Sequence, residues 1–423
     1  MRSIGLDLGR HTGEAAVVDT TGRASSLGPV EVSAAGLAAF ASRLRPDDRV
    51  VLEASTNTFE IAELLAPHVG AVIVSNPLRT RAIAAAKTKT DEIDARTLAE
   101  LLAADYIPEV WQPDPATRAL RRLVSLRAGL VRSRTGERNR VAAIIGRRLL
   151  TCPVSDPFGI AGRAWLAALE LPADERLALE LHLRLHDAIA AEVARAEVTI
   201  ATTVVDDARV RHLLTVPGLG LANAVALVAL VGDVSRFGRP AKLASYLGLD
   251  PRVRQSGTRS FTGHISRAGQ AHARGLLIEA AHAAVRTPGP LRGFYLRVER
   301  RRSAGVAVVA VARKLAVLAW HLLTKGEDYT GSPALRTAEK VRAMERLAGD
   351  PKRLSRRGTR MGGQGEARAR RQAARARERA GLEVAQAAYE QFVAARGAKR
   401  EAVAANGERL DGPAEPGPAA PRS

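Results

Sequence analysis

RSIGLDLGRHTGEAAVVD, residues 2–19, is the stretch that decides the fold. Two short apolar runs flank GRHTG, so the segment reads as strands at 2–8 and 14–19 joined by a glycine-containing turn. A second turn, DTTGR, leads to a third strand at 27–33. Beyond it the pattern alternates: a helix at 35–45, a strand VVLEAS at 50–55, a helix at 57–67, a strand AVIVS at 71–75, and helices at 77–86 and 91–104. A hairpin-rich start followed by alternating units predicts a mixed sheet flanked by helices. Long helical patterns then occupy 115–150 and 174–203, with Leu120, Leu123, Leu130, Val141, Ile144 and Ile145 at helix-like spacing in the first. They read as a helical hairpin or coiled-coil arm used for dimerisation, or as one more pair of globular helices. Residues 213–330 read as a compact helical region with helices at 268–286 and 306–323. The chain is therefore expected to be α/β plus all-α.

The chain has 423 residues and a formal net charge of +20. That excess points to a polyanionic partner, either nucleic acid or an anionic membrane surface. The charge is unevenly placed. Residues 1–105 hold 11 Lys and Arg against 14 Asp and Glu, residues 106–330 hold 33 against 19, and residues 331–423 hold 20 against 11. The division suggests a metal or acid/base centre in front and a grip on a polyanion behind. No apolar run is read as spanning a bilayer and no signal peptide is visible, so no membrane partner and a cytoplasmic location are expected. The single cysteine, Cys152, excludes an internal disulfide and fits a reducing compartment.

Four acids stand out by position. Asp7 sits between Ile4, Leu6 and Leu8 in a strand that asks for burial, and Glu53 ends the apolar run VVLEAS. Asp91 and Asp94 open a helix in KTKTDEIDARTLAELL, three residues apart and hence on one helical face. An unpaired acid inside a sheet costs several kcal/mol, roughly, unless it is paired or binds a cation. A pair of Mg²⁺ ions would remove the mutual repulsion and make a phosphodiester-cleaving centre. Asp91 and Asp94 also suit the positive end of a helix without any metal.

The other conspicuous segment is DPRVRQSGTRSFTGHISRAGQ, residues 250–270. From Pro251 to Ile278 there are five arginines and two histidines but no carboxylate. Ser256 precedes Gly257 among Arg252, Arg254, Arg259 and Arg267. A serine hydroxyl needs activation, and no local Asp–His pair supplies it. Guanidinium forks suit a phosphate electrophile, so Ser256 is a candidate nucleophile on a DNA phosphate, with Ser260 and Ser266 as competitors and a backbone-binding turn as the plainer reading. Upstream, VPGLG at 216–220 resembles the glycine turn of a helix-hairpin-helix element. Its Gly218 and Gly220 would present N–H groups to a phosphate.

Together these motifs resemble the insertion-sequence 110 family of transposases. LDLG, VLEAS and KTDEIDA match its four-acid DEDD pattern, on a RuvC-like, ribonuclease-H-type domain. VPGLG, GDVSRFGRPAKLASYLGLDP, QSG and ISRAGQAHARGLL are similar, in order, to its C-terminal transposase domain, and the resemblance covers about residues 1–325. It implies a DNA transposase, or site-specific recombinase, in which Asp7, Glu53, Asp91 and Asp94 hold Mg²⁺ and Ser256 becomes joined to the DNA end. It also implies a structured noncoding bridge RNA pairing with donor and target DNA, and dimers that pair into tetramers. One departure is ISRAGQ where members often carry Lys and Asn; Arg267 keeps the charge. The expected domains are 1–110 (RuvC-like), 111–205 (helical, coiled-coil dimerisation), 206–330 (transposase, with the serine loop) and 331–423 (a basic, largely disordered tail). In that tail 334–347 and 366–396 are candidate isolated or RNA-induced helices. Two rival readings remain: a structure-specific or junction-resolving nuclease using the four acids alone, and a non-enzymatic nucleic-acid binder.

Overall fold

The structure is a computed structural model that describes residues 1–84, 90–257, 259–266, 269–349 and 364–405. It divides into two compact units, Met1–Asp114 and Pro115–Ser423.

In the first unit, strands β1 (Ser3–Leu8), β2 (Thr12–Val18), β3 (Ala24–Glu31), β4 (Arg49–Glu53) and β5 (Ala71–Ser75) form one mixed sheet in the order β3-β2-β1-β4-β5. β1 is antiparallel to β2 and parallel to β4, and β4 is parallel to β5. Helices α1 (Ala34–Ala41), α2 (Thr58–Leu65), α3 (Pro77–Ile83) and α4 (Asp91–Ala103) complete the unit. The strand period of two assigns the faces. Ile4, Leu6, Val50, Leu52 and Val74 cluster with Leu37 and Phe40 of α1 and Ile61 and Leu65 of α2. Val51 and Ile73, on the opposite face, cluster with Leu98 and Leu102 of α4. Both faces are covered, which is why these strands read as continuous apolar runs. Asp48, fully buried ahead of β4, accepts a two-pronged bond from Arg2 (Nε at 2.9 Å, Nη2 at 2.6 Å) and a third from Arg45 N at 2.8 Å. Burial works against ionisation of Asp48, but these partners outweigh it and hold the carboxyl below its usual range.

The second unit opens with an antiparallel helical hairpin, α5 (Pro115–Arg147) and α7 (Ala173–Val204), capped at its far end by α6 (Ile160–Ala168). There Val141, Ile144, Ile145, Leu166 and Leu179 form a small core of their own. The body contains α8 (Ala208–Leu214), α9 (Leu221–Val231), α10 (Pro240–Tyr246), a two-stranded hairpin β6 (Pro251–Ser256) and β7 (Arg259–Ile265), α11 (Ala271–Ala284), α12 (Pro290–Glu299) and α13 (Ala304–Lys325). α13 is long and apolar enough, by length and composition, to cross a membrane, which corrects the expectation that no such run exists. Its apolar character has a core explanation: Val308, Val311, Ala312, Leu315, Ala316 and Ala319 are buried at the centre of this unit.

Two expectations change. The arm and the transposase region, expected to divide at 205/206, form one compact unit, because Leu120 and Val124 of α5 and Ile200, Ala201 and Val204 of α7 enter the body's core. The tail, expected to be largely disordered with candidate isolated or RNA-induced helices at 334–347 and 366–396, carries α14 (Ala334–Leu347) and α15 (Gln364–Ala405) packed on the body rather than isolated. Met344 of α14 is completely buried in the body's core, and the Lys340 ammonium donates to Leu214 O at 2.8 Å and Val216 O at 2.9 Å. Gln386 of α15 accepts from Gly289 N, and Arg371 and Arg375 pair with Glu339. An Ala-, Arg- and Glu-rich composition resembles a disordered tract, yet these are also strong helix formers. The final DGPAEPGPAAPRS lies outside the described residues.

Candidate active site and nucleic-acid interface

The direction of α4 decides where the acids lie. Arg49 opens β4, and its Nη1 donates to Asp105 Oδ1 at 2.6 Å, just past the C-terminus of α4. α4 therefore runs antiparallel to β4. Its N-terminus, with Asp91 and Asp94, lies toward the C-terminal ends of β1 and β4, which carry Asp7 and Glu53. The pairing Leu6–Leu52 is the last registered between these strands, and Asp7 and Glu53 are the next residues along. Asp7 lies two residues beyond Gly5 and Glu53 two beyond Val51, so both belong to the face covered by α4. The contact there is close: a Cβ on Gly5 would stand 2.1 Å from Ala95 O and 2.6 Å from Ala99 N.

Asp7, Glu53 and Asp94 are half-buried and Asp91 is exposed. Thr90 caps α4 by accepting from Ile93 N, and Asp91 and Asp94 occupy its first turn, so the helix-end preference also holds. A fifth acid, Glu14, pairs directly with Asp7 across β1 and β2. The sequence reading misses it, although counting the hairpin register outward from GRHTG would find it. Among the described residues, no group of three or more His, Cys, Asp or Glu is drawn together tightly enough to hold a metal ion. The four predicted acids share one end and one face of the sheet rather than a closed ligand shell. Their chemistry fits a divalent cation, since hard carboxylate oxygens of like charge are concentrated there.

The basic segment is an antiparallel β-hairpin. Ser256 ends β6 and pairs with Arg259 at the start of β7, and Gly257 takes the positive φ of 56° that the tight turn requires. Arg252, Arg254 and Ser256 alternate along β6 and so share a face, with Arg259 and Phe261 opposite Ser256 and Arg254 on the same side. Every residue of β6 is exposed. Among the described residues, Arg254 and Arg259 have no acidic partner, so their charge is available to an outside anion. Ser266 is occupied differently: its hydroxyl donates to Asp250 Oδ1 at 3.0 Å, and Arg252 donates to Ser266 O at 3.1 Å, which together tie the base of the hairpin. That bond gives Ser266 an anchoring role and weakens its standing as a nucleophile. Arg267 lies outside the described residues.

The VPGLG turn joins α8 to α9, as the helix-hairpin-helix expectation requires. Gly218 has a packing reason to be glycine: its φ is +86°, and a Cβ would stand 2.1 Å from Ala280 O of α11. Gly220 precedes α9, whose first turn has no side-chain cap, and a Cβ there would meet nothing within 4 Å. Nothing in the sequence signals the brace beneath this turn. Lys340 grips the carbonyls on its N-terminal side, and Thr215 accepts from Tyr329 N at 2.9 Å. Burial, helped by Arg336, pushes the Lys340 ammonium down to about 8. On α11, burial and then the guanidiniums of Arg132 and Arg127 hold the His272 imidazole below its usual range.

The chain matches a family model described as "Transposase IS116/IS110/IS902 family" over residues 210–296. A second model, described as a transposase and named for the DEDD acids of IS110 elements, matches residues 4–147. A "Probable family 20 transposase" of Pseudomonas aeruginosa is 32% identical over 259 residues, covering 57% of this chain and 74% of the relative. The "Transposase for insertion sequence element IS1328" of Yersinia enterocolitica is 28% identical over 251 residues, 57% of this chain and 74% of the relative. The corresponding protein of element IS1111A in Coxiella burnetii is 28% identical, covering 57% and 68%.

Proposed function

The chain belongs to the IS116/IS110/IS902 family of transposases, enzymes that act on DNA, and from that premise we propose a site-specific recombinase in which Ser256 is the nucleophile. The Ser256 oxygen bonds to phosphorus, one P–O ester bond breaks, and the departing strand end leaves as a hydroxyl. One end is then held on the enzyme as a phosphoserine ester, which a second strand's hydroxyl can resolve. The observation that carries this reading is the exposure of Ser256 at the tip of a hairpin, on the face shared with Arg254 and Arg259. Those guanidiniums neutralise charge developing on the phosphate oxygens.

The DEDD domain points to divalent metal dependence, and Mg²⁺ is the ion proposed. Asp7, Glu53, Asp91 and Asp94 would hold it, with Glu14 adding negative charge beside Asp7. When bound, the metal supplies Lewis-acid stabilisation of the phosphate and lowers the pKa of an attacking hydroxyl. Arg252, Arg254, Arg259 and Arg267 bind backbone phosphates, and the N–H groups after Gly218 and Gly220 bind another. Donor and target DNA are the substrates, a structured bridge RNA is the proposed guide, and dimers formed through the α5–α7 arm pair into tetramers in which the two centres meet across protomers. The location proposed is cytoplasmic, at the nucleoid.

In vitro recombination of a donor plasmid tests this reading with wild type, Asp7→Ala, Asp94→Ala and Ser256→Ala. All three variants should lose product, and Ser256→Ala should lose the protein–DNA adduct. Cleavage to free ends that survives Ser256→Ala would instead establish a nuclease that uses the acids alone.

A further inference from the structure

The hairpin carries a feature that phosphodiester chemistry at Ser256 does not use. Val253 pairs with Thr262, but Pro251 pairs with Ile265, so Gly263 and His264 together oppose Arg252 alone. This is a β-bulge in β7, and a bulge re-aims the side chains beside it. It opens a cavity of about 380 Å³ lined by Arg252, Arg254, Phe261, Gly263, His264 and Ile265. Phe261 is 68% exposed, a poor position for a phenyl ring unless something covers it. A Cβ at Gly263 would stand 3.4 Å from Cε1 of Phe261, so glycine keeps this side of the cavity clear.

We propose that this cavity binds one unpaired nucleotide of a nucleic-acid strand, its base stacked on Phe261, its phosphate held by Arg252 and Arg254, and its base edge met by His264. The volume lies at the small end of the range for ligand sites, about 300–1,000 Å³, and fits a nucleotide better than a larger ligand. Two guanidiniums lining one cavity suit a phosphate, and an exposed aromatic ring suits a base of any identity. A base stacked in a duplex cannot present its face to a ring, so the site selects a nucleotide that has been unpaired or flipped out. The subsite deepens the proposed function and rests on its view of the hairpin as the nucleic-acid-facing element, but not on Ser256 chemistry. It lies beside the serine along β6, so it would hold a strand in register while the linkage is cut.

The test uses the full chain and oligonucleotides carrying 2-aminopurine, as single-stranded DNA, single-stranded RNA and duplex DNA. Stacking should quench the probe in at least one single-stranded form, and the arm that responds identifies the strand. Phe261→Ala should abolish the quench and weaken binding of that form by about tenfold or more, while leaving duplex affinity and the salt slope unchanged. Phe261→Trp should restore both quench and affinity, which a merely structural role would not produce. Arg252→Ala should instead reduce the salt slope by about one. Equal losses on single strand and duplex, or no quench in either single-stranded arm, would overturn the proposal. Because binding is read without catalysis, its failure is separable from that of the serine mechanism: an adduct that still needs Ser256 alongside no Phe261 dependence sinks only the subsite.

Discussion

Gly5→Ala probes how closely the acid-bearing helix must sit on the sheet. The new Cβ would stand 2.1 Å from Ala95 O and 2.6 Å from Ala99 N, and both are backbone atoms of α4 that cannot swing aside. α4 must therefore retreat by about 1 Å before the contact is tolerable, and overpacking of this kind costs roughly 1–3 kcal/mol. The functional cost should exceed the stability cost. Retreat carries Asp91 and Asp94 away from Asp7 and Glu53, and a misplacement of about 1 Å can lower a rate by about 100-fold. The assay is strand cleavage on a plasmid bearing the element's ends, run well below the unfolding temperature of the variant, beside thermal unfolding of the same preparation. A folded Gly5→Ala protein with cleavage down by about two orders of magnitude is expected. Wild-type stability with wild-type cleavage would refute the placement of α4 and, with it, the shared acid face.

Four further outcomes follow from the second unit. Gly218→Ala combines a positive φ with a Cβ 2.1 Å from Ala280 O, and should destabilise by about 2 kcal/mol or more; Gly275→Ala, which meets nothing within 4 Å in α11, should instead stabilise by about 0.5–1 kcal/mol in denaturant unfolding. Lys340 is held near 8 when folded and near 10.5 when unfolded, so between those values the unfolded chain binds the extra proton and stability rises with pH. Comparing wild type with Lys340→Met across that window should show the rise, up to roughly 3 kcal/mol, in wild type alone. Arg254→Ala should lower the slope of log affinity against log salt for DNA by about one, and no change in slope would show that its guanidinium meets no phosphate.

Much of the first unit is legible in the amino-acid order alone. Apolar runs mark β1, β4 and β5, whose two faces are covered, while β3, ASSLGPVE with one buried residue, is legible mainly from the turns around it. Asp7 is visible as a charge among core residues for the same reason. Glu14 is not, since a strand position beside a turn explains an acid without help and only register reveals its neighbour. The exposed Ser256 turn is legible from Ser-Gly among arginines, but the face it shares with Arg254 and Phe261 depends on pairing, and the β7 bulge depends on one extra residue that composition does not mark. In the tail the helical stretches at 334–347 and 366–396 are legible, but their docking is not. The tail's composition fits disorder, while Met344 in the body's core and Lys340 on two carbonyls hold α14 through contacts that composition does not mark.

The most direct measurement is a denaturing gel of labelled donor DNA after reaction with wild type and Ser256→Ala, each with Mg²⁺ and with chelator. The account predicts a protein-linked DNA species for wild type with Mg²⁺ alone, mapping by peptide sequencing to Ser256. An adduct that persists in Ser256→Ala, or that forms equally well with chelator present, would contradict it.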